Sequence, residues 1–127
     1  LTESDKWGQA PKRQVDWDWI RGYPSFKFQY PKRFELALWQ KGQLASLSLG
    51  RPTHNGSKLR LDFIERSTEH RQIQVFPFVL ASLILYARAL GANEVRVMNP
   101  INGKVSSYYS QFELLPATGS NYLFKVI

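Results

Sequence analysis

The sequence predicts an α+β fold, a mixed and mostly antiparallel sheet flanked by helices. Three observations carry that prediction. Between Arg33 and Ile64, apolar and polar residues alternate in short runs separated by turn signals. Val75 to Leu90 is then almost entirely apolar and stops at Gly91, a length and an ending that suit a helix. Directly afterwards Glu94-Val-Arg-Val-Met98 alternates again. A strand reached through a helix returns parallel to the strand it left, which makes the sheet mixed.

The elements follow in order. Residues 1–32 form an aromatic, irregular or helical N-terminal segment. In it Asp16-Trp-Asp-Trp-Ile20 reads as one turn of an amphipathic helix, begun by Asp16 or Asp18. Gly22, Pro24 and Pro31 impose an irregular connection, because proline lacks a backbone donor and disfavours helix at the residue before it. Trp7, Trp17 and Trp19 are expected to pack this segment onto the body of the chain. Phe34-Glu-Leu-Ala-Leu-Trp39 is a strand, Lys41-Gly42 a turn, and Leu44-Ala-Ser-Leu-Ser-Leu49 its antiparallel partner. The Asn55-Gly56 pair marks the next turn. Lys58-Leu-Arg-Leu-Asp-Phe-Ile64 completes a meander, with Leu59, Leu61 and Phe63 expected on one face. Pro77 is tolerated in the first turn of the apolar helix. Its apolar residues lie nearly all round, so cover on most sides is expected. Asn99-Pro-Ile-Asn102-Gly leads to a short helix carrying Ser106, Ser107, Tyr108 and Tyr109, and Asn121 to Ile127 is a last strand.

At 127 residues the chain is most simply one domain, large enough to bury a core. Its 43% hydrophobic and 21% charged content is that of a globular protein rather than a disordered one. With no cysteine, disulfides and thiolate chemistry are excluded, which fits the cytoplasm. The longest apolar run contains Pro77 and Ser82 and is too short to span a bilayer. No signal peptide opens the chain, and Leu1 in first place leaves residues upstream of it open. The net charge of +7, from 17 Lys and Arg against 10 Asp and Glu, favours an anionic partner such as a nucleotide cofactor, nucleic acid or acidic protein. The basic residues run from Lys6 to Lys125 without a consecutive block, so a solvated basic surface is the alternative.

The polar, basic loop Arg66-Ser-Thr-Glu-His-Arg-Gln72 leads into the apolar helix. A helix N-terminus opening beside a strand end is a place where backbone amides can hold a phosphate. His54 and His70 are far apart, and without cysteines no metal site is expected. No Walker loop, dinucleotide fingerprint or nucleophile elbow is present. The Trp and Tyr residues between Lys6 and Arg33 suit either base stacking on single-stranded nucleic acid or plain aromatic packing; packing is the simpler reading.

From Arg33 to Ile127 the chain resembles the GCN5-related N-acetyltransferases, the GNAT acetyltransferases, as a divergent member. Element order carries the resemblance, together with Leu59-Arg-Leu-Asp-Phe-Ile-Glu65, Leu85-Tyr-Ala-Arg-Ala-Leu-Gly-Ala92, and Asn102 followed seven residues later by Tyr109. It implies a GNAT-like acyl-CoA N-acyltransferase fold and acetyl-CoA as acetyl donor. The acceptor is then an amine, on a small molecule or a protein, that attacks the thioester directly. By position the cofactor's pyrophosphate falls on Arg71, Gln72, Ile73, Gln74, Val75 and Phe76. The family pattern there is Gln or Arg, two residues, Gly, one residue, then Gly or Ala. Arg71 stands at the first position, while Gln74 and Phe76 replace the small residues that let backbone approach phosphate closely. Helix amides, Arg71, His70 and Arg66 are the compensating groups.

The resemblance gives Phe63, Ile64 and Glu65 backbone contacts to the pantetheine arm, and adds Asn102 and Tyr109 to the cofactor site. Asn102 serves equally well as a helix cap. Glu65 is the implied general base, with Asp62 second, and Tyr109 the general acid. A phenol is protonated at neutral pH and can donate to a departing thiolate. Tyr108 is turned about 100° from it on a helix, so one of the two is expected to face the site. The N-terminal segment and the loop from Arg51 to Ser57 then shape the acceptor site. A catalytically inactive domain of the same fold, binding protein or nucleic acid, is the alternative, and a homodimer is left open.

Overall fold

The computed structural model describes residue 24, residues 26–67, 75–100 and 103–127, with backbone alone for residues 103–106. The expectations for Asp16 to Ile20, for Trp7, Trp17 and Trp19, for His70, Arg71, Gln72, Ile73 and Gln74, and for Asn102 lie outside the described residues. After a helical stretch at residues 26–29 come strands β1 (Phe34–Gln40), β2 (Gln43–Pro52) and β3 (Lys58–Arg66). Helix α1 (Phe76–Leu90), β4 (Glu94–Met98), α2 (Gly103–Ser110), β5 (Leu115–Pro116) and β6 (Tyr122–Val126) follow. The sheet order is β1-β2-β3-β4-β6-β5. Among the described strands only β3 and β4 are parallel neighbours, so the sheet is mixed and mostly antiparallel.

Local chemistry explains the joints. Lys41 and Gly42 both have positive φ, 52° and 76°, the conformation that a two-residue hairpin loop demands. Helix α1 accepts Pro77 in its first turn. It ends at left-handed Gly91, where the Gly91 and Ala92 amides donate to the Arg88 and Ala87 carbonyls. The two-residue β5 has too little pattern to be seen in the sequence, and it exists only by pairing with β6.

Helix α1 buries Phe76, Val79, Leu80, Leu83 and Ala87 against Leu59, Leu61, Val95, Val97 and Leu123. Its outer side is bare: Phe78 is 63% and Leu85 68% exposed, so the helix is not covered on most sides as its composition suggests. Phe26, Leu44, Leu47 and Leu49 form a second cluster, with Tyr30 and Phe63 against it.

Phe63 is a correction. The β2–β3 register runs Leu49↔Phe63 and then Gly50↔Leu61, which leaves Asp62 as an extra residue in a β-bulge. The bulge inverts the alternation. Leu59 and Leu61 therefore enter the main core, while Phe63 joins the cluster around Phe26. Opposite the bulge only glycine fits: a Cβ on Gly50 would lie 2.0 Å from the Arg60 carbonyl oxygen.

Candidate active site

The bulge sits where two strands part. The β3–β4 ladder runs from Lys58↔Glu94 to Leu61↔Val97 and ends there, one residue before Asp62. The rest of β3 continues beside β2 as far as Ser46↔Arg66. Phe63, Ile64 and Glu65 all lie on this continuation, past the end of the ladder. Strand β4 turns away at Asn99, which holds φ 50° and donates its amide to the Asn121 carbonyl. Asparagine is among the few non-glycine residues that tolerate that conformation.

The register also assigns faces. Leu47, Leu49 and Arg51 alternate along β2 on one face, opposite Glu65, Phe63 and Arg60. Glu65 thus faces the Phe26 side of the sheet and is 1% exposed. Arg66 pairs with Ser46 on the other face, the side of α1. Tyr109 belongs to that side. Its ring stacks on Phe76 with centroids 4.2 Å apart, and Phe76 also meets Phe112 at 5.2 Å. Tyr108 reaches the same Phe76 at 6.2 Å, so both tyrosines, not one, converge on the start of α1. Burial first, and the neighbouring Tyr108 second, push the Tyr109 phenol up to about 12, while Arg66 pulls it the other way. Glu65 and Tyr109 therefore lie on opposite faces of the opening at the end of the β3–β4 ladder.

The N-terminus of α1 follows that opening in the chain. Val75 occupies the cap position without a side-chain cap bond, and no acidic residue lies in the first turn. The Phe78 and Val79 amides both turn to the Val75 carbonyl, each at 3.1 Å. The positive end of the helix dipole is thus not neutralised by its own first turn. Phe76 is 3% exposed with its ring in the core.

Asp62, the second choice for a base, is already engaged. Arg60 donates to its Oδ1 from Nε at 3.1 Å and from Nη2 at 2.7 Å. Arg51 Nε lies 3.7 Å from Oδ2, and its guanidinium sits 4.4 Å over the Tyr30 ring. Burial outweighs both arginines and raises the Asp62 carboxyl above its ordinary value. The bulge, Gly50 and the Phe76–Tyr109 stack escaped the sequence reading because each depends on register or packing between distant segments. Among the described residues no group of three or more His, Cys, Asp or Glu could hold a metal ion. No helix there is long and apolar enough to cross a membrane.

No protein-family model matches the sequence, and no curated protein does. Solved structures are similar in architecture. Ard1 from Thermoplasma volcanium aligns with a TM-score of 0.73 at 10% identity, over 90% of this chain and 83% of that one. An acetyltransferase of the GNAT family from Streptococcus pneumoniae gives 0.64 at 12% identity, over 85% and 74%. The PaiA N-acetyltransferase from Thermoplasma acidophilum, solved in complex with coenzyme A, gives 0.62 at 16% identity, over 86% and 76%. With its mixed sheet, the crossover through α1 and a β3–β4 ladder that stops at a bulge, the chain has the fold of the GNAT acetyltransferases.

Proposed function

We propose that the chain is an N-acetyltransferase that moves an acetyl group from acetyl-CoA to an amine acceptor by direct attack. One observation carries the reading: the ladder ends at Leu61↔Val97, just before bulged Asp62, and a buried carboxylate, Glu65, and a partly buried phenol, Tyr109, lie on opposite faces of the sheet. The residues at the helix end fit the cofactor. Val75 offers no side-chain competitor for an anion, the first turn holds no acid, and the Phe76 ring packs inward. Arg71, Gln72, Ile73, Gln74, Val75 and Phe76 are the proposed pyrophosphate contacts. Phe63, Ile64 and Glu65 are proposed for the pantetheine arm, with Asn102 and Tyr109 at α2.

When bound, acetyl-CoA supplies a thioester, an activated carbonyl with a good leaving group. The protein's part is proton traffic and placement. An ammonium has no lone pair, so Glu65 takes a proton from the acceptor, directly or through water. Tyr109, protonated throughout the neutral range, gives its proton to the departing sulfur as the nitrogen–carbon bond forms and the carbon–sulfur bond breaks. Base and acid on opposite faces leave both the incoming amine and the leaving sulfur with their own proton partner.

The test is Tyr109→Phe in an acetyl-transfer assay with a panel of amines. Turnover falls by about 10²-fold or more while acetyl-CoA affinity and melting temperature stay near wild type. An equal loss of binding and folding instead assigns Tyr109 to the core alone. A second reading has a specific observation behind it. Phe76, Tyr108, Tyr109 and Phe112 form a packed aromatic cluster, with Phe76 at a position where the resemblance implies a small residue, as suits an inactive binding domain. That reading requires no measurable affinity for acetyl-CoA.

A further inference from the structure

The sheet brings three arginines side by side. Arg51 pairs with Arg60 across β2 and β3, and Arg60 pairs with Arg96 across β3 and β4. With neighbouring strands about 4.8 Å apart, the row crosses the sheet over roughly 10 Å. Like charges directly opposite one another weaken a sheet, so the row needs a reason. Among the described residues counter-charge is incomplete: three guanidinium groups share two carboxylates, Asp62 and Glu94. Each arginine side chain keeps about a quarter of its surface exposed, 25%, 26% and 23%. Arg60 spends Nε and Nη2 on Asp62, and Arg96 spends Nε on Glu94. The Nη1 of Arg60 and both Nη groups of Arg96 have no hydrogen-bond partner among the described residues. Aromatic rings hold the two ends, with Arg51 over Tyr30 at 4.4 Å and Arg96 over Tyr122 at 4.6 Å. Stacked, pre-oriented guanidinium forks are the groups that bind carboxylate and phosphate in two-point fashion.

The position of the row names its use. Arg60 and Arg96 form the last pair on their face before the ladder ends at Leu61↔Val97. They share that face with Glu65, because their β2 partners Arg51 and Leu47 alternate along one strand. Four residues of strand separate those partners, about 13 Å at 3.3 Å per residue. The arginine heads shorten the gap, since Arg51 and Arg60 both reach Asp62, between the row and Glu65. We propose that this row, with Arg60 and Arg96 at its centre, holds an oxyanion of the acceptor. The acceptor is then an amine that also carries a carboxylate or phosphate several ångströms from its nitrogen. The acceptor assignment rests on the acetyl-transfer reading above; the oxyanion site does not.

The experiment is calorimetric titration of the full chain, without cofactor and at low ionic strength, with aminohexyl phosphate, aminoheptanoate and aminohexanol. The two acidic probes bind about 10-fold or more tightly than the alcohol, and whichever binds better identifies the oxyanion class. Added salt shrinks the difference. Arg96→Gln, which leaves the Asp62 contacts intact, cuts it at least about threefold, and Arg60→Gln with Arg96→Gln abolishes it. Should the double variant fail to fold in a thermal melt, the Arg96→Gln result alone decides. Equal binding of all three probes, or a preference that survives Arg96→Gln, overturns the oxyanion site. A chain that discriminates the probes yet binds no acetyl-CoA overturns the acetyl-transfer reading and leaves the oxyanion site standing.

Discussion

Tyr109 lies stacked on Phe76, with centroids 4.2 Å apart and ring planes 23° from parallel, and this contact ties α2 to the first residue of α1. The stack separates the chemistry of Tyr109 from its packing. Tyr109→Phe keeps the ring and is expected to change stability by less than about 1 kcal/mol. Phe76→Ala removes a side chain that is 3% exposed and is expected to cost about 3–5 kcal/mol. Denaturant unfolding of the two variants checks both.

The Tyr109 phenol supplies a pH signature. It titrates at about 12 in the folded protein against 10.0 for the ordinary group. A raised folded-state value means that the native state holds the proton more tightly. Its contribution to stability is complete below pH 10 and declines as pH rises from there toward 12. Wild type is therefore expected to lose more stability than Tyr109→Phe across that window. The difference is on the order of 1–2 kcal/mol, measured by unfolding at successive pH values. Parallel curves for the two proteins contradict the burial argument.

Gly50 controls the bulge. The Cβ of Gly50→Ala meets the Arg60 carbonyl oxygen at 2.0 Å, and both residues lie in paired strands whose backbone cannot swing aside. An expected loss of about 1–3 kcal/mol follows. Because the bulge marks where β3 leaves β4, acetyl-CoA affinity is expected to fall as well. A melt and a titration on the same preparation separate the two effects; an unchanged melting temperature rules out the close approach.

Ser46 and Ser48 bury hydroxyls, at 0% and 2% exposure, with no hydrogen-bond partner among the described residues. A buried, unsatisfied hydroxyl costs stability. Ser48→Ala is therefore expected to be neutral or stabilising by up to about 1 kcal/mol. A loss larger than that in a thermal melt shows that the hydroxyl is bonded.

Much of the fold was legible because its signals are local. Alternation in Leu44 to Leu49, the Lys41-Gly42 turn and the Gly91 stop each depend on a few neighbouring residues. The Phe63 face was misread because a bulge is set by the facing strand, through Gly50, and leaves no mark in the alternation of β3 itself. Likewise Phe78 and Leu85 look like core by composition, and only packing shows them on the outside of α1. Glu65 and Tyr109 are proposed for the site on the resemblance, and the opposite faces they occupy could not be read from the sequence. The arginine row was invisible, since Arg60 and Arg96 become neighbours only through the β3–β4 register.

Titration of the full chain with acetyl-CoA by calorimetry near neutral pH tests the central claim most directly. Binding with micromolar-range affinity at one site, weakened by Gly50→Ala and little changed by Tyr109→Phe, is the predicted result. No detectable binding by a folded protein contradicts the acetyl-transfer account and leaves a GNAT fold that serves another purpose.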